Sequence, residues 1–272
     1  MASWAPLLYA RTLHDDTWWR AAPQDRTQDP WLAGQVRIVV AGGHDLDRHS
    51  RFLLAHDGDS WLFGVACLSE RLSSTMNQTS GRPTYCFVGW VSEPRADPAA
   101  IPPWKVLTTR WVSWAAGVYD RWLAPDWALS ASDRAGLPHL TPYAPLPGSW
   151  PADAGQDDAG TGAGRDELTP LSLLRHGTDA WPMSDAARLW AAAAASAERI
   201  TAVFGVVRAQ PQRLRGITHA AVLELARRQL VPGPAEPAEQ QAKAGDGPEP
   251  RSRRGPGIAQ LIASRLRGPR PR

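Results

Sequence analysis

Lysine is almost missing from this chain of 272 residues: Lys105 and Lys243 stand against 28 arginines. Together with abundant Ala, Gly and Pro, the bias reads as the codon usage of a GC-rich bacterial genome and carries no functional signal. Cysteine is equally scarce. Two residues, Cys67 and Cys86, exclude a disulfide framework. Both lie in apolar, strand-like runs and read as buried free thiols. Long hydrophobic runs are lacking as well. "VFGVV" and the alanine-rich stretch near 191 fall well short of the roughly 20 residues that a spanning helix needs. "MASWAPLLYARTLHDD" has no basic segment leading into a long apolar one, so no signal peptide and a cytoplasmic location are expected. The Walker pattern, the Gly-x-Ser-x-Gly elbow, Gly-x-Gly-x-x-Gly and His-Glu-x-x-His are all absent. No catalytic residue, metal site or cofactor is therefore expected, and the reading leans away from an enzyme.

What the chain has in excess is tryptophan. Twelve of its 14 indoles fall in the first 150 residues. Indoles bury large areas, so this region supports a heavy core, and core packing accounts for most of them. With 43% apolar and 21% charged residues, most of the chain reads as globular.

The local patterns give an α+β fold with a mainly antiparallel sheet. "PLLYARTL", residues 6–13, reads as a strand. In "RFLLAHDGDSWLFGVACLS", two apolar runs flank Asp57-Gly58, a favoured dipeptide of two-residue hairpin turns, so 51–56 and 60–68 read as a hairpin. "TYCFVGWVS", 84–92, is a further strand. It is apolar on both faces and therefore covered on both, with Gly89 marking a bulge or a close backbone approach. "QVRIVVAGG" reads as a strand, with a short helix as the alternative, and Asp29-Pro30 as a helical turn before it. Trp104, Leu107, Trp111, Trp114, Val118 and Trp122 recur at the helical period and predict one Trp-faced helix between Pro103 and Pro125.

Four segments follow from these patterns: an α+β core at 1–135, a Pro/Gly-rich linker at 136–166, a helix–strand–helix unit at 167–231, and a basic tail at 232–272 expected to be disordered. In the third, Ser184 is an N-cap candidate for "MSDAARLWAAAAASAERI". "ITAVFGVV" is a strand, and "GITHAAVLELARRQLV" favours helix. This unit either stands apart or completes the first sheet. The tail holds seven arginines and no acid in 251–272, so the +3 of the whole chain leaves −4 on residues 1–250. Basic charge thus belongs to the tail.

Candidate functional residues are few. His44, Asp47 and His49 in "GGHDLDRH" offer metal-type ligands, although an extended backbone would put the two histidines on opposite faces. The plainer reading is a polar turn. His14-Asp15-Asp16 offers a carboxylate pair beside an imidazole, or a loop that caps the next helix. Arg82, in a Ser/Thr/Asn-rich loop, is able to grip a carboxylate or phosphate in two places. Alternatively it pairs with a local acid. In the tail, Arg251, Arg253 and Arg254 precede a segment in which Ile258, Leu261 and Ile262 share a helical face, beside Arg265 and Arg267. Such a basic amphipathic segment suits a protein partner's groove, an anionic surface or nucleic acid.

Gly81, Arg82, Pro83, Tyr85, Phe87, Gly89, Trp90 and Val91 form a Gly-Arg-Pro/aromatic pattern preceded by "WLFGVACLS". This resembles a bacterial protein family that shares such a core strand, and "RLWAAAA", "ITAVFGVV" and "GITHAAV" look like the same family over residues 5–230. The resemblance implies a component of a multi-gene regulatory or conflict system, encoded beside NTPases or protease-like partners. It assigns no catalytic residue. A non-enzymatic interaction protein with a protein partner is the leading expectation. A small-ligand sensor or enzyme centred on Arg82 comes second, and nucleic-acid binding through the tail third.

Overall fold

The computed structural model describes residues 3–15, 19–79, 81–130, 138–147, 172–174, 178–208 and 215–224. In chain order the elements are β1 (Trp4–Ala10), β2 (Trp19–Ala22), α1 (Pro30–Val40), β3 (Arg51–His56), β4 (Trp61–Leu68), β5 (Gln78–Thr79), β6 (Arg82–Pro83), β7 (Tyr85–Ser92), α2 (Trp104–Thr109), α3 (Trp111–Leu123), β8 (His139–Leu140), β9 (Ser172–Leu174), β10 (Thr178–Pro182), α4 (Ala186–Ala194), β11 (Ile200–Arg208) and β12 (His219–Glu224). Ten strands form one sheet in the order β8-β2-β1-β7-β4-β3-β11-β12-β10-β9, and β5 pairs with β6 separately. The fold is α+β, and the sheet is mostly antiparallel. Parallel pairing occurs where β12 lies between β11 and β10, and where β8 meets β2.

The central strands bury both faces. Along β7, Cys86, Val88 and Trp90 point into one core, and Phe87 and Val91 into the other. The first core is the tryptophan-rich one, roofed by Trp114, Tyr119 and Leu123 of α3 and by Leu189, Trp190 and Ala193 of α4. The second lies under α1, whose Leu32, Val36, Val39 and Val40 are buried. Gly64 and Gly89 face each other across β4 and β7. A Cβ on Gly89 would meet Phe63 O at 2.4 Å and the Phe87 ring at 2.8 Å. The glycine is thus a close approach, and the Phe87 ring occupies the hollow that the pair leaves.

The hairpin at Asp57-Gly58 forms, but around a four-residue loop rather than a two-residue turn. His56 pairs with Trp61, and of the loop residues Gly58 takes a positive φ. Asp57 Oδ1 accepts from the backbone N of Asp59 and Ser60, at 2.9 and 2.7 Å. Other expectations change as well. "QVRIVV" is the end of helix α1, not a strand: Asp29 Oδ1 accepts from Trp31 N and Leu32 N at 2.9 and 3.2 Å, and Pro30 supplies the first helical position. The helix predicted over 104–122 is two helices, broken where Arg110 adopts φ −114°, ψ 11°. Residues 219–224 are strand β12, not helix, because they fill the place between β11 and β10. The unit read as helix–strand–helix therefore has strands on both sides of α4, which is entered through a 3₁₀ turn at Met183–Asp185 without a side-chain cap from Ser184.

The chain after residue 172 adds four strands to the same sheet, with β11 antiparallel to β3. The early part of the segment read as a linker is also seated on it. Trp4 N donates to Ala144 O at 2.7 Å, and Ala144 N returns to Trp4 O at 3.0 Å. No helix among the described residues is long and apolar enough to cross a membrane.

Candidate functional site

Among the clefts of the described residues, two are lined by α2 and α3 on the tryptophan-rich face. The larger, about 440 Å³, runs along α3. Ser113, Gly117 and Arg121 line it from one stripe of α3, and Arg110 joins them from the elbow just before the helix. A rise of 1.5 Å per residue sets the two arginines about 16 Å apart along the axis. The facing wall is Pro142, Ala144, Pro145 and Pro147, held in place by the bridge to Trp4 and by Thr141 Oγ1, which donates to Pro6 O at 2.9 Å.

Indoles complete the cleft. Trp90 and Trp114 meet edge to face at 4.9 Å between centroids, and Trp4 packs on Phe63 at 5.1 Å. Trp122 lines the end at which the Arg121 guanidinium lies 4.9 Å from its ring centroid. Next to Trp122, His139 Nε2 is 3.0 Å from Asp126 Oδ1 and ties β8 to the end of α3. Arg110 and Arg121 are exposed. Neither has a carboxylate within ion-pair distance among the described residues. A Cβ on Gly117 would touch nothing within 4 Å, so the backbone there lies bare to the cleft. Chemically this is a long apolar trough with fixed positive charge towards both ends.

The second cleft, about 300 Å³, lies between the sheet and the α2–α3 elbow. Phe52, Trp104 and Trp111 supply aromatic walls, and His49, Ser50, Arg71 and Thr108 supply polar groups. Phe52 packs edge-on against Trp104 at 5.2 Å and against Trp111 at 6.3 Å.

The structure spreads the residues singled out from sequence along one end of the sheet. His44, Asp47 and His49 occupy the turn that follows α1, and all three are exposed. That turn is fastened by Arg51, which donates from Nη2 to His44 O and from Nη1 to Val39 O at 3.1 Å. It also packs at Gly43 against the Tyr85 ring. Arg82 is exposed on the β5–β6 hairpin just before Tyr85. Of these four, His49 lines the second cleft. No group of three or more His, Cys, Asp or Glu side chains able to hold a metal occurs among the described residues.

Asp15 is not a free acid–base group. Its Oδ2 takes a 3.0 Å hydrogen bond from Arg20 Nη1, and Arg20 is wholly buried. Asp16 and the tail residues Arg251, Arg253, Arg254, Ile258, Leu261, Ile262, Arg265 and Arg267 lie outside the described residues. Cys67 and Cys86 are free, buried cross-strand neighbours with sulfurs 3.8 Å apart. Burial pushes the Cys67 thiol well up, so it is not a ready thiolate.

Sequence reasoning missed Arg110, Arg121, Arg71 and the proline wall. The arginine pair had a signal, since a separation of eleven is about three helical turns. The prolines had none, because only the fold brings residue 144 back to residue 4. Comparison of the chain with family models, curated proteins and solved structures gives no match.

Proposed function

We propose that the protein is a non-enzymatic interaction component that captures an extended, proline-bearing and acid-carrying segment of a protein partner in the cleft along α3. The observation that carries this reading is the pairing of indole and proline walls with two arginines that lack a carboxylate partner among the described residues. Aromatic troughs suit proline-rich segments, because such a segment is already extended and loses little entropy on docking. The chain supplies its own precedent. "TPYAPLP", residues 141–147, lies along Trp4 and Pro6 as one wall of the trough. Acidic residues near the ends of the partner segment would meet Arg110 and Arg121, which favours fast, salt-dependent association. The family resemblance supports placing such a component in a bacterial multi-gene regulatory or conflict system, with the partner encoded nearby.

Gly117→Leu is the clean test. It fills the trough from a helix position with open space around it, and leucine favours helix over glycine by about 1 kcal/mol. Peptide display selected on the full-length chain should enrich sequences holding both Pro and Asp/Glu. Their binding should fall at least about ten-fold in Gly117→Leu and in Arg110→Glu/Arg121→Glu. Selection without enrichment, or enriched peptides that bind Gly117→Leu as well as the parent, would remove the cleft from this role.

A further inference from the structure

The second cleft has a place in the sheet that the first does not. β10, β11 and β12 run parallel, and the cleft gathers residues from the carboxyl end of each: Met183 follows β10, Gly205 lies in the second half of β11, and Leu223 near the end of β12. In sheets with parallel strands, the carboxyl ends form the crevice where ligands collect. The antiparallel half of the sheet adds to the same end. β3 is antiparallel to β11, so His49 and Ser50, which lead into β3, fall where β11 finishes. β4 is antiparallel to β3, so its exit, followed by Arg71, falls there too.

Gly205 opens the floor. It sits at a shift in the β11–β12 register with φ +82°, and a Cβ there would lie 2.6 Å from Ser50 O. No other residue type fits that backbone without displacing Ser50. Ser50 Oγ is buried and has no hydrogen-bond partner among the described residues, an arrangement that a ligand oxygen would satisfy. Arg71 is exposed and has no ion-pair partner among the described residues. Trp104 and Trp111 are half-buried, each keeping part of its ring available at the cleft.

From this combination we infer that the cleft at the carboxyl ends of β10, β11 and β12 binds a small anion carried on a flat aromatic ring. The ring lies against Trp104 and Trp111, with Arg71, His49 and Ser50 around the acidic head. An arginine fork and a hydroxyl suit the oxygens of a phosphate or a carboxylate, and aromatic faces accept a flat ring by offset or edge-on contact. A space of about 300 Å³ takes a molecule of the size of a nucleoside monophosphate or smaller. The site is separate from the trough along α3 and does not depend on that reading.

Calorimetric titration of the full-length chain tests it with adenosine monophosphate, phenyl phosphate, benzoate and inorganic phosphate as probes. At least one ring-bearing anion should bind saturably below millimolar concentration and more tightly than inorganic phosphate. Arg71→Gln should weaken that binding about ten-fold or more, and Gly117→Leu should leave it unchanged. The first two probes against benzoate distinguish a phosphate head from a carboxylate. No saturable binding by any ring-bearing probe overturns the inference. So does inorganic phosphate binding as tightly as the aromatic anions, or an Arg71→Gln variant that binds as the parent does.

Discussion

Arg20 has a side chain with no exposed surface, and its charge is answered within the fold. Nε donates to Ala10 O at 2.8 Å, Nη2 to Asp15 O at 2.8 Å and Nη1 to the Asp15 carboxylate. Removing one member of a buried pair strands the other, which costs far more than the pair itself contributes. Arg20→Ala should therefore lose about 3–5 kcal/mol in urea denaturation. Asp15→Asn keeps the backbone contacts but leaves the buried guanidinium without its counter-charge, and should also lose about 3–5 kcal/mol. Equal small losses from both would mean that the pair is screened by solvent. His219 is half-buried, 3.4 Å from Asp179 but without hydrogen-bond alignment. Burial holds its pKa below the ordinary 6.5, and Asp179 opposes that only in part. The unfolded chain thus binds the proton more readily than the folded one. Stability from this group is complete above about pH 6.5 and declines as pH falls through the lowered folded value. His219→Gln should flatten the dependence of the urea midpoint between pH 7.5 and pH 5.5. An unaltered slope would assign that dependence to other groups. None of this was legible from residue types alone. "HDD" and "ITHAAV" look alike whether their members catalyse or hold structure, and the deciding partners lie elsewhere in the chain.

At the level of elements, legibility followed the strength of the local signal. The β3–β4 hairpin and the Trp-faced helices were readable because both period and breakers agreed. α1 was not, because "VRIVV" carries β-branched residues that favour strand locally. What decides for helix is upstream: the Asp29 cap, Pro30, and apolar positions at 32, 36, 39 and 40 that meet a sheet face. Asp29 also accepts from Arg26 at 2.8 Å. Asp29→Ala should cost about 1–2 kcal/mol, read by urea denaturation with a protease-sensitivity check across 27–43. A loss below about 0.5 kcal/mol would mean that packing alone holds this helix. β12 failed for a different reason. "VLELARR" has good helix formers, but residues 219–224 are drawn into a vacant position between two strands. Ladder pairing on both sides outweighs a propensity difference of a few tenths of a kcal/mol per residue. The α2–α3 elbow at Arg110 was equally hidden, and it places an arginine at one end of the trough.

Across the whole molecule, the decisive feature is the neighbour relation between β3 and β11, which joins residues 51–56 to residues 200–208. The alternative of a separate second unit was open in the sequence because pairing across about 150 residues leaves no local trace. A chain that ends at residue 147 would carry six strands of this sheet and an unpaired β3 edge. Such an edge invites pairing with another chain. Residues 1–147 produced alone should therefore aggregate, while co-production with 172–232 should restore soluble material that co-purifies. Soluble, monomeric 1–147 would show that β3 tolerates its open edge. The order of synthesis gives the same relation a temporal meaning. The ribosome releases β3 long before β11 exists, and at about 5–20 residues per second that edge waits on the order of ten seconds for its mate. During that interval the growing chain depends on whatever shields an open strand, and β11 serves as the clasp that ends the exposure.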